Sequence, residues 1–281
     1  MSEVFQIQYR QEFIDGFEQR QSLLRDTVTT EAQIKGNQAT FLVSDSGDAE
    51  ATTRGGDGLI PARNDSNTQN TATLREWHDL VRKTKFNIFA SQGNQRALMQ
   101  DTTMAVINRK IDSDIITTLN TGTVAIGAAG TIPGVSTFQN GRVKLSNAEV
   151  PWDSNITLLC QPSFLAYLEQ ETEFSNADYV NMRPFANDDP SWRDRPMAYR
   201  WRSTLILEHP RLPSKGTSSE ISFMYHKAAL GHAANTEGMD SEVGYNSEQA
   251  YSWARCSIDM GSVLMQAAGD VVITHDGSEY A

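Results

Sequence analysis

The residues that could do chemistry in this 281-residue chain are five histidines, two cysteines and a few groups of carboxylates. His226 and His232 are six positions apart, and no third ligand follows in a metal-binding pattern such as HExxH. We therefore expect ordinary histidines with backbone partners and no metal site. Cys160 and Cys256 form no paired motif, which predicts two buried free thiols.

The sequence motifs of common enzyme classes are missing. Neither the Gly-x-Gly-x-x-Gly nor the Gly-x4-Gly-Lys-Ser/Thr phosphate loop occurs, and there is no Gly-x-Ser-x-Gly elbow. The carboxylates of Glu169, Glu171 and Glu173, and of Asp188 and Asp189, fit solvated helix ends or loops. The sequence predicts a protein that is not an enzyme and needs no cofactor.

The formal net charge is −11, which makes the chain a poor candidate for a dedicated DNA-binding module. One stretch departs from this balance. Residues 74–110 hold seven basic and three acidic side chains, a net of +4. Arg96, Arg109 and Lys110 belong to this stretch.

No segment of the sequence has the roughly 18 consecutive apolar residues of a membrane-spanning helix. The start, Met1-Ser2-Glu3-Val4, lacks the basic and apolar regions of a signal peptide. We expect a protein that folds in a cytosol and has no membrane partner.

Residues 4–24 carry an aromatic side chain at every fourth position, which predicts an amphipathic helix. These side chains are Phe5, Tyr9, Phe13 and Phe17. Such a face needs cover. The chain's own core and a neighbouring subunit are both candidates, and the sequence does not choose between them.

Residues 44–73 are rich in glycine and small polar residues, and Leu59 and Ile60 are their only sizeable apolar groups. A stretch of about 30 residues without regular structure is unusual inside a compact domain, so it is functional or disordered. Strand-like sequences flank it at 38–43 and 71–88, where Phe86 and Ile88 alternate with polar residues. Helical spacing also fits part of the second flank. We favour a long hairpin with a mobile tip.

Residues 94–121 predict the strongest helix of the chain, ended by Gly122. Its apolar positions recur every three or four residues: Met104, Ile107, Ile111, Ile115 and Leu119. At 1.5 Å per residue such a helix spans roughly 42 Å.

The rest of the chain predicts strands and short helices. Residues 124–141 read as a glycine-rich loop, and Pro162 starts a short helix. Strands are predicted at 156–160, 201–207, 221–230, 251–258 and 270–274. This order indicates an α+β fold without βαβ alternation or repeats.

Several collinear segments resemble the major capsid proteins of tailed bacteriophages. They include VTTEAQIKGNQATFLV (28–43), GLIPARNDSNTQNTATLREWHDLV (58–81), INRKIDSDIITTLNT (107–121), FMYHKAALGHA (223–233), GYNSEQAYSWAR (244–255) and VVITHDGS (271–278). The resemblance runs from about residue 5 to residue 278.

The resemblance implies the Hong Kong-type phage capsid fold and assigns a part of it to each predicted element. It implies an N-terminal arm over residues 1–37, an extended-loop hairpin (E-loop) over 38–93 and a P-domain with a spine helix over 94–146. The A-domain follows at 147–234, and C-terminal strands of the P-domain at 235–281.

The resemblance also implies function and partners. The expected protein self-assembles into pentamers and hexamers of an icosahedral shell around double-stranded DNA, inside the host cytoplasm, and then resides in the virion capsid. Scaffolding, portal and decoration proteins are expected partners. Intersubunit contacts are expected at Phe5, Tyr9, Phe13, Phe17, Leu59 and Ile60. Arg96, Arg109 and Lys110 are expected to face DNA, with ion pairs to acids of neighbouring subunits as the alternative.

Two other functions fit parts of the sequence. An encapsulin-like compartment shell would keep the same fold around a cargo enzyme. A β-rich hydrolase or sugar-binding protein would use the glycine-rich hairpin as a lid. Such a protein would form a small soluble oligomer that ligand stabilises.

Overall fold

The computed structural model describes residues 21–30, 32–46, 49–62, 66–90, 95–175, 198–234 and 239–281. Two compact units divide the chain. The smaller unit consists of Met1–Ser22, Arg75–Asp112 and Ala234–Met260. The larger unit consists of Leu23–Leu74, Ser113–Ala233 and Gly261–Ala281.

Helices and strands alternate irregularly along the described residues. The helices are α1 (Lys85–Ala90), α2 (Gln95–Leu119), α3 (Val135–Asn147), α4 (Pro162–Gln170) and α5 (Thr172–Ser175). The first strands are β1 (Gln33–Lys35), β2 (Gln38–Asp45), β3 (Ser66–Thr73), β4 (Arg75–Thr84), β5 (Val124–Gly127), β6 (Ile156–Cys160) and β7 (Ala198–Trp201). The remaining strands are β8 (Thr204–Glu208), β9 (Glu220–His226), β10 (Leu230–Ala234), β11 (Asp240–Asn246), β12 (Tyr251–Leu264) and β13 (Asp270–His275).

A six-stranded mixed sheet forms the centre of the larger unit, in the order β5-β13-β9-β6-β8-β7. Strand β6 reads Ile-Thr-Leu-Leu-Cys, and all five of its residues are buried because neighbouring strands and helices cover both of its faces. Helices α3 and α4 add Phe138, Phe164 and Leu168 to the same core. Phe138 packs on the indole of Trp201, with 4.6 Å between the ring centroids.

The larger unit also contains a three-stranded sheet in the order β1-β2-β3. The base of this sheet buries Ala39, Phe41 and Ala72 in a small core shared with Ala233. Gly231 makes room for the Phe41 ring, since a Cβ at position 231 would lie 2.8 Å from ring carbons. The base of the hairpin is therefore fixed by packing within the chain.

In the smaller unit, β12 pairs antiparallel with β4 on one side and with β11 on the other. Side chains alternate between the two faces of β4, and Trp77, Asp79, Val81 and Lys83 lie on its less exposed face. The ammonium group of Lys110, on α2, lies 3.8 Å from the centroid of the Trp77 ring. The Gln100 side chain of α2 donates to the Ser241 hydroxyl of β11 at 3.0 Å.

The predicted long helix is confirmed as α2, whose buried positions repeat every four residues. These positions are Met99, Thr103, Ile107, Ile111, Ile115 and Leu119. Met104 was expected on this face but is 37% exposed, because Thr103 occupies the buried row instead. The helix is followed by a turn in which Gly122 N–H donates to the Leu119 carbonyl.

The mixed helix and sheet architecture confirms the predicted α+β class, but three local predictions were wrong. Residues 124–141, expected to be a loop, contain β5 and the start of α3. Residues 85–90, expected to continue a strand, form α1, so Phe86 lies on a helix. A turn at Arg202 and Ser203 divides the predicted strand 201–207 into β7 and β8.

Candidate assembly surface

The hairpin of β2 and β3 is an extended, largely uncovered structure. Its register runs from Gln38 opposite Thr73 to Asp45 opposite Ser66. Ala72 is the only fully buried residue of β3, and most of its other residues are exposed. A two-stranded hairpin is at best marginally stable in water. This geometry favours a second surface that covers the hairpin beyond its base.

The tip of the hairpin contains a compact turn. Gly55 N–H donates to the Leu59 carbonyl at 3.0 Å, and Gly58 N–H donates to the Gly55 carbonyl at 2.9 Å. Gly58 has φ +77°, a left-handed conformation that suits glycine. The Arg54 guanidinium also donates a hydrogen bond to the Gly58 carbonyl of this turn. These hydrogen bonds hold Leu59 at one end of the turn.

Three sizeable apolar side chains of the hairpin are exposed. Leu42 is 76% exposed on β2, and Leu59 and Ile60 are 69% and 64% exposed beside the tip turn. Single exposed apolar residues are ordinary on a protein surface. Three of them on a ribbon that lacks a core of its own are typical of a contact surface.

The aromatic residues Phe5, Tyr9, Phe13 and Phe17 lie outside the described residues. The segment that follows them is docked on the chain itself: Leu24 and Val28 are buried, and Thr29 N–H donates to the Leu230 carbonyl at 3.0 Å. The Thr27 and Tyr225 hydroxyls share a hydrogen bond of 2.6 Å. Residues 24–29 therefore anchor the N-terminal segment to the larger unit.

Two basic residues of α2, Lys110 and Arg109, interact with groups of their own chain. Lys110 lies over the Trp77 ring, where a cation–π contact stabilises the ammonium group. Arg109 lies close enough to Asp79 to act on its carboxyl. Burial raises the pKa of Asp79, and the Arg109 charge opposes this rise. Arg96 lies in the first turn of α2.

Sequence reasoning missed a buried cluster of polar side chains in the larger unit. The Ser222 hydroxyl and His275 Nε2 are 2.9 Å apart, and His275 Nδ1 lies 3.7 Å from a Glu220 carboxylate oxygen. The Glu220 carboxylate also accepts hydrogen bonds from the Ser163 hydroxyl and the Gly216 N–H. No sequence motif could reveal this cluster, because its members come from β9, α4 and the end of β13.

Ser222, His275 and Glu220 are the residue types of a hydrolytic triad, but a substrate could not reach them. All three residues are at most 2% exposed, and the Ser222 oxygen already accepts from Gln161 N–H at 3.2 Å. Burial lowers the pKa of His275 to about 4, so the ring is neutral at pH 7. A substrate carbonyl cannot approach the hydroxyl in this arrangement. The cluster joins strand ends within the core.

The cysteines follow the sequence prediction, whereas several histidines have side-chain partners in addition to backbone ones. Both cysteines are buried and unpaired, as expected. His226 Nε2 lies 3.0 Å from the Asp153 carboxylate, and His226 Nδ1 accepts from Ala228 N–H. Across the described ranges, no three His, Cys, Asp or Glu side chains form a group that could hold a metal ion. None of the helices described here is long and apolar enough to cross a membrane.

Solved structures share this fold over almost the whole chain. A chain of Mycobacterium phage Che8 superposes with a TM-score of 0.69 and 14% identity, covering 97% of this chain and 98% of that chain. The head structure of Helicobacter pylori bacteriophage KHP40 superposes with a TM-score of 0.71 and 11% identity, covering 97% of this chain and 95% of that chain. The capsid of a native GTA particle computed with C5 symmetry superposes with a TM-score of 0.70 and 12% identity, covering 95% of this chain and 94% of that chain.

These structures confirm the predicted phage capsid fold, and nothing among them favours an encapsulin. No curated relative matches the sequence. A family model described as phage capsid protein matches residues 1–277. The chain belongs to the phage capsid protein family.

Proposed function

We propose that this protein is the major shell subunit of a tailed bacteriophage, and that copies of it assemble into pentamers and hexamers of a closed icosahedral shell. The observation that carries this proposal is the family match over residues 1–277. The exposed hairpin supports it, because a ribbon of two strands is at best marginally stable in water and a neighbouring subunit in a shell would cover it.

In this proposal the parts of the subunit divide the work of assembly. The hairpin, with Leu42, Leu59 and Ile60, covers a neighbouring subunit, and the N-terminal arm covers another surface through Phe5, Tyr9, Phe13 and Phe17. Residues 24–29, which follow the arm in the sequence, are hydrogen-bonded within the larger unit. The domain boundaries proposed from the resemblance, including the hairpin over 38–93 and the A-domain over 147–234, belong to the same proposal.

The proposed role of the subunit is structural and not enzymatic. The buried triad-like cluster supports this, since the Ser222 hydroxyl is enclosed by the core. Assembly would take place in the host cytoplasm with scaffolding and portal proteins as partners, and a decoration protein would bind the finished shell. Double-stranded DNA would be packaged inside through contacts that do not depend on its sequence.

The DNA contact of Arg96, Arg109 and Lys110 stays a prediction. The cation–π contact of Lys110 with Trp77 and the effect of the Arg109 charge on the Asp79 carboxyl favour a structural role for these two residues. Arg96 is then the better candidate of the three for contact with phosphate. Its effect would be sensitive to salt, because binding to phosphate releases counterions.

Replacing Leu59 and Ile60 together by serine tests the hairpin assignment. Each side chain, if covered in the shell, contributes on the order of 1.5–3 kcal/mol. We expect the L59S/I60S subunit to keep its melting temperature and to form far fewer shells, as measured by gradient sedimentation. The control is Gly56→Ala, at a tip position where an added Cβ meets open space. Shell yields equal to those of the wild type would contradict the assignment.

A further inference from the structure

Two arginines of the larger unit lie near each other, and no carboxylate among the residues that the structure describes forms an ion pair with either. Arg142 is on α3, one turn after Phe138, and Arg202 follows Trp201 in the turn between β7 and β8. Because Phe138 packs on Trp201, the next turn of α3 carries Arg142 towards Arg202. Burial and, second, the charge of Arg202 lower the pKa of Arg142, as expected for two neighbouring cations.

Each guanidinium is positioned by a tryptophan. The Arg142 Cζ lies 4.6 Å from the centroid of the Trp152 ring, and the Arg202 Cζ lies 5.0 Å from that of Trp201. No carboxylate of the described residues forms an ion pair with either arginine, and the buried Nε of Arg142 has no hydrogen-bond partner among them. Two neighbouring guanidinium groups that pair with no carboxylate of the described residues are typical of a site for an anion.

The backbone at Arg202 adds an independent observation. Arg202 and Ser203 have φ of +46° and +63°, and they form the two-residue loop between Trp201 and Thr204. Such loops favour Asn-Gly, because both central residues take positive φ. A positive φ is energetically unfavourable for arginine. Residues in such strained backbone conformations are often found at ligand contacts.

We propose that Arg142 and Arg202 form an anion site that binds a carboxylate of a second copy of this chain, and so join subunits in the shell. This inference rests on the proposed self-assembly and adds a contact to it. The chain supplies such partners in excess, with 35 acidic residues against 24 Lys and Arg.

A nucleic acid fits the site less well than a carboxylate. Aromatic residues that bind single strands offer a free face for base stacking. Here the Trp201 ring is buried against Phe138 and Phe174, and Arg142 lies over the ring of Trp152. Because Trp201 is buried and Arg142 lies over the Trp152 ring, the guanidinium groups are the main features that the site presents.

The test compares the assembly of four proteins: wild type, Arg202→Gly, the double variant R142Q/R202Q, and Arg211→Gln. Glycine at position 202 suits the positive φ, so this subunit is expected to melt at or above the wild-type temperature. The Arg211→Gln control removes one exposed cation outside the Arg142–Arg202 pair. The readout is the subunit concentration at which half of the protein forms shells, at 50 mM and at 500 mM NaCl.

We expect this concentration to rise about tenfold or more for Arg202→Gly and R142Q/R202Q, and to be unchanged for Arg211→Gln. The salt dependence of assembly should also be weaker in R142Q/R202Q than in the wild type, because an ion pair has been removed. Since Arg202→Gly does not strain the turn, a loss of assembly in that variant reports a lost contact and not a lost fold.

Other outcomes overturn the inference in distinguishable ways. If the wild type and all variants assemble equally, the arginine pair has no role between subunits, while the proposed function stands. If the variants assemble normally but their shells retain less DNA, the anion is phosphate and the carboxylate assignment is wrong. If the wild type itself forms no assembly, the proposed function fails and this inference fails with it.

Discussion

Asp270 is the buried carboxyl group that makes the clearest prediction at the scale of single residues. Both of its carboxylate oxygens are buried without a hydrogen-bond partner among the described residues, and the carboxyl packs against Gly122. Burial raises the pKa of Asp270 from its ordinary value of 3.8 to about 8. The folded subunit therefore holds a proton on Asp270 at neutral pH, which the unfolded chain does not.

The sign of the pH dependence follows from this difference. A group whose pKa is raised in the folded state stabilises the fold below its unfolded pKa, and this contribution is lost as pH rises towards the folded pKa. We expect the free energy of unfolding to fall between about pH 4 and pH 8, by an amount on the order of a few kcal/mol.

Asp270→Asn should remove this dependence, because asparagine has nearly the same shape and does not ionise. The variant is expected to be more stable than the wild type at pH 8–9, with a smaller advantage at lower pH. Denaturant unfolding from pH 6.5 to pH 9 measures this and avoids the range in which His275 titrates. Asp101→Asn, at an exposed position of α2, is the control. An Asp270→Asn curve parallel to the wild-type curve would contradict the assignment.

At the scale of elements, the sequence predicted the helices and strands that carry a regular pattern of apolar residues. The α2 helix and β6 were predicted because each carries a strong apolar pattern over its full length. Strand β5 and helix α3 were missed because Gly127, Gly130, Gly134 and Gly141 made the segment read as a loop. Gly141 lies inside α3 for a packing reason: a Cβ there would lie 3.1 Å from Met224 side-chain atoms.

The candidate contact sites were predictable only where the signal lies within one segment of the sequence. The exposure of Leu59 and Ile60 was readable from their isolation among small polar residues. The arginine pair was not, because Arg142 and Arg202 are 60 positions apart and meet only when α3 packs on Trp201. The contacts of Lys110 and Arg109 with β4 were hidden in the same way.

The N-terminal arm gives a prediction at the element scale. Leu24 and Val28 are buried, and Thr29 N–H donates to the Leu230 carbonyl, so a truncation that ends before this segment leaves these contacts in the chain. We expect a chain without residues 2–20 to fold with a normal melting temperature but to assemble poorly, because the aromatic side chains no longer reach a neighbour. Thermal unfolding and gradient sedimentation measure the two effects. An unfolded truncated subunit would place the aromatic helix in the chain's own core.

At the scale of the whole molecule, the chemistry of the hairpin tip predicts a shell without covalent links between subunits. In some tailed-phage capsid proteins, a lysine of the extended loop forms an isopeptide bond with an asparagine of a neighbouring subunit. Residues 44–73 of this chain contain Arg54 and Arg63 but no lysine. A guanidinium stays protonated at neutral pH and cannot act as the nucleophile.

The nearest lysines lie outside the hairpin tip. Lys35 precedes the hairpin on β1, and Lys83 lies on β4, opposite Ser252 of β12. Lys83 is about 10 residues from the end of the tip segment, or roughly 33 Å along an extended strand. We expect mature shells boiled in detergent to give a single band near 31 kDa on a denaturing gel. A ladder of larger bands would show that subunits are covalently joined.

Electron microscopy of the purified protein tests the central claim most directly. Expressed alone or with a scaffolding protein, the wild-type chain is expected to give closed shells, ring-shaped capsomers or tubes in negative stain. A hairpin that is exposed over most of its length in one subunit makes this outcome the one the structure predicts. A protein that stays monomeric in every salt and scaffold condition would contradict the assignment as a shell subunit.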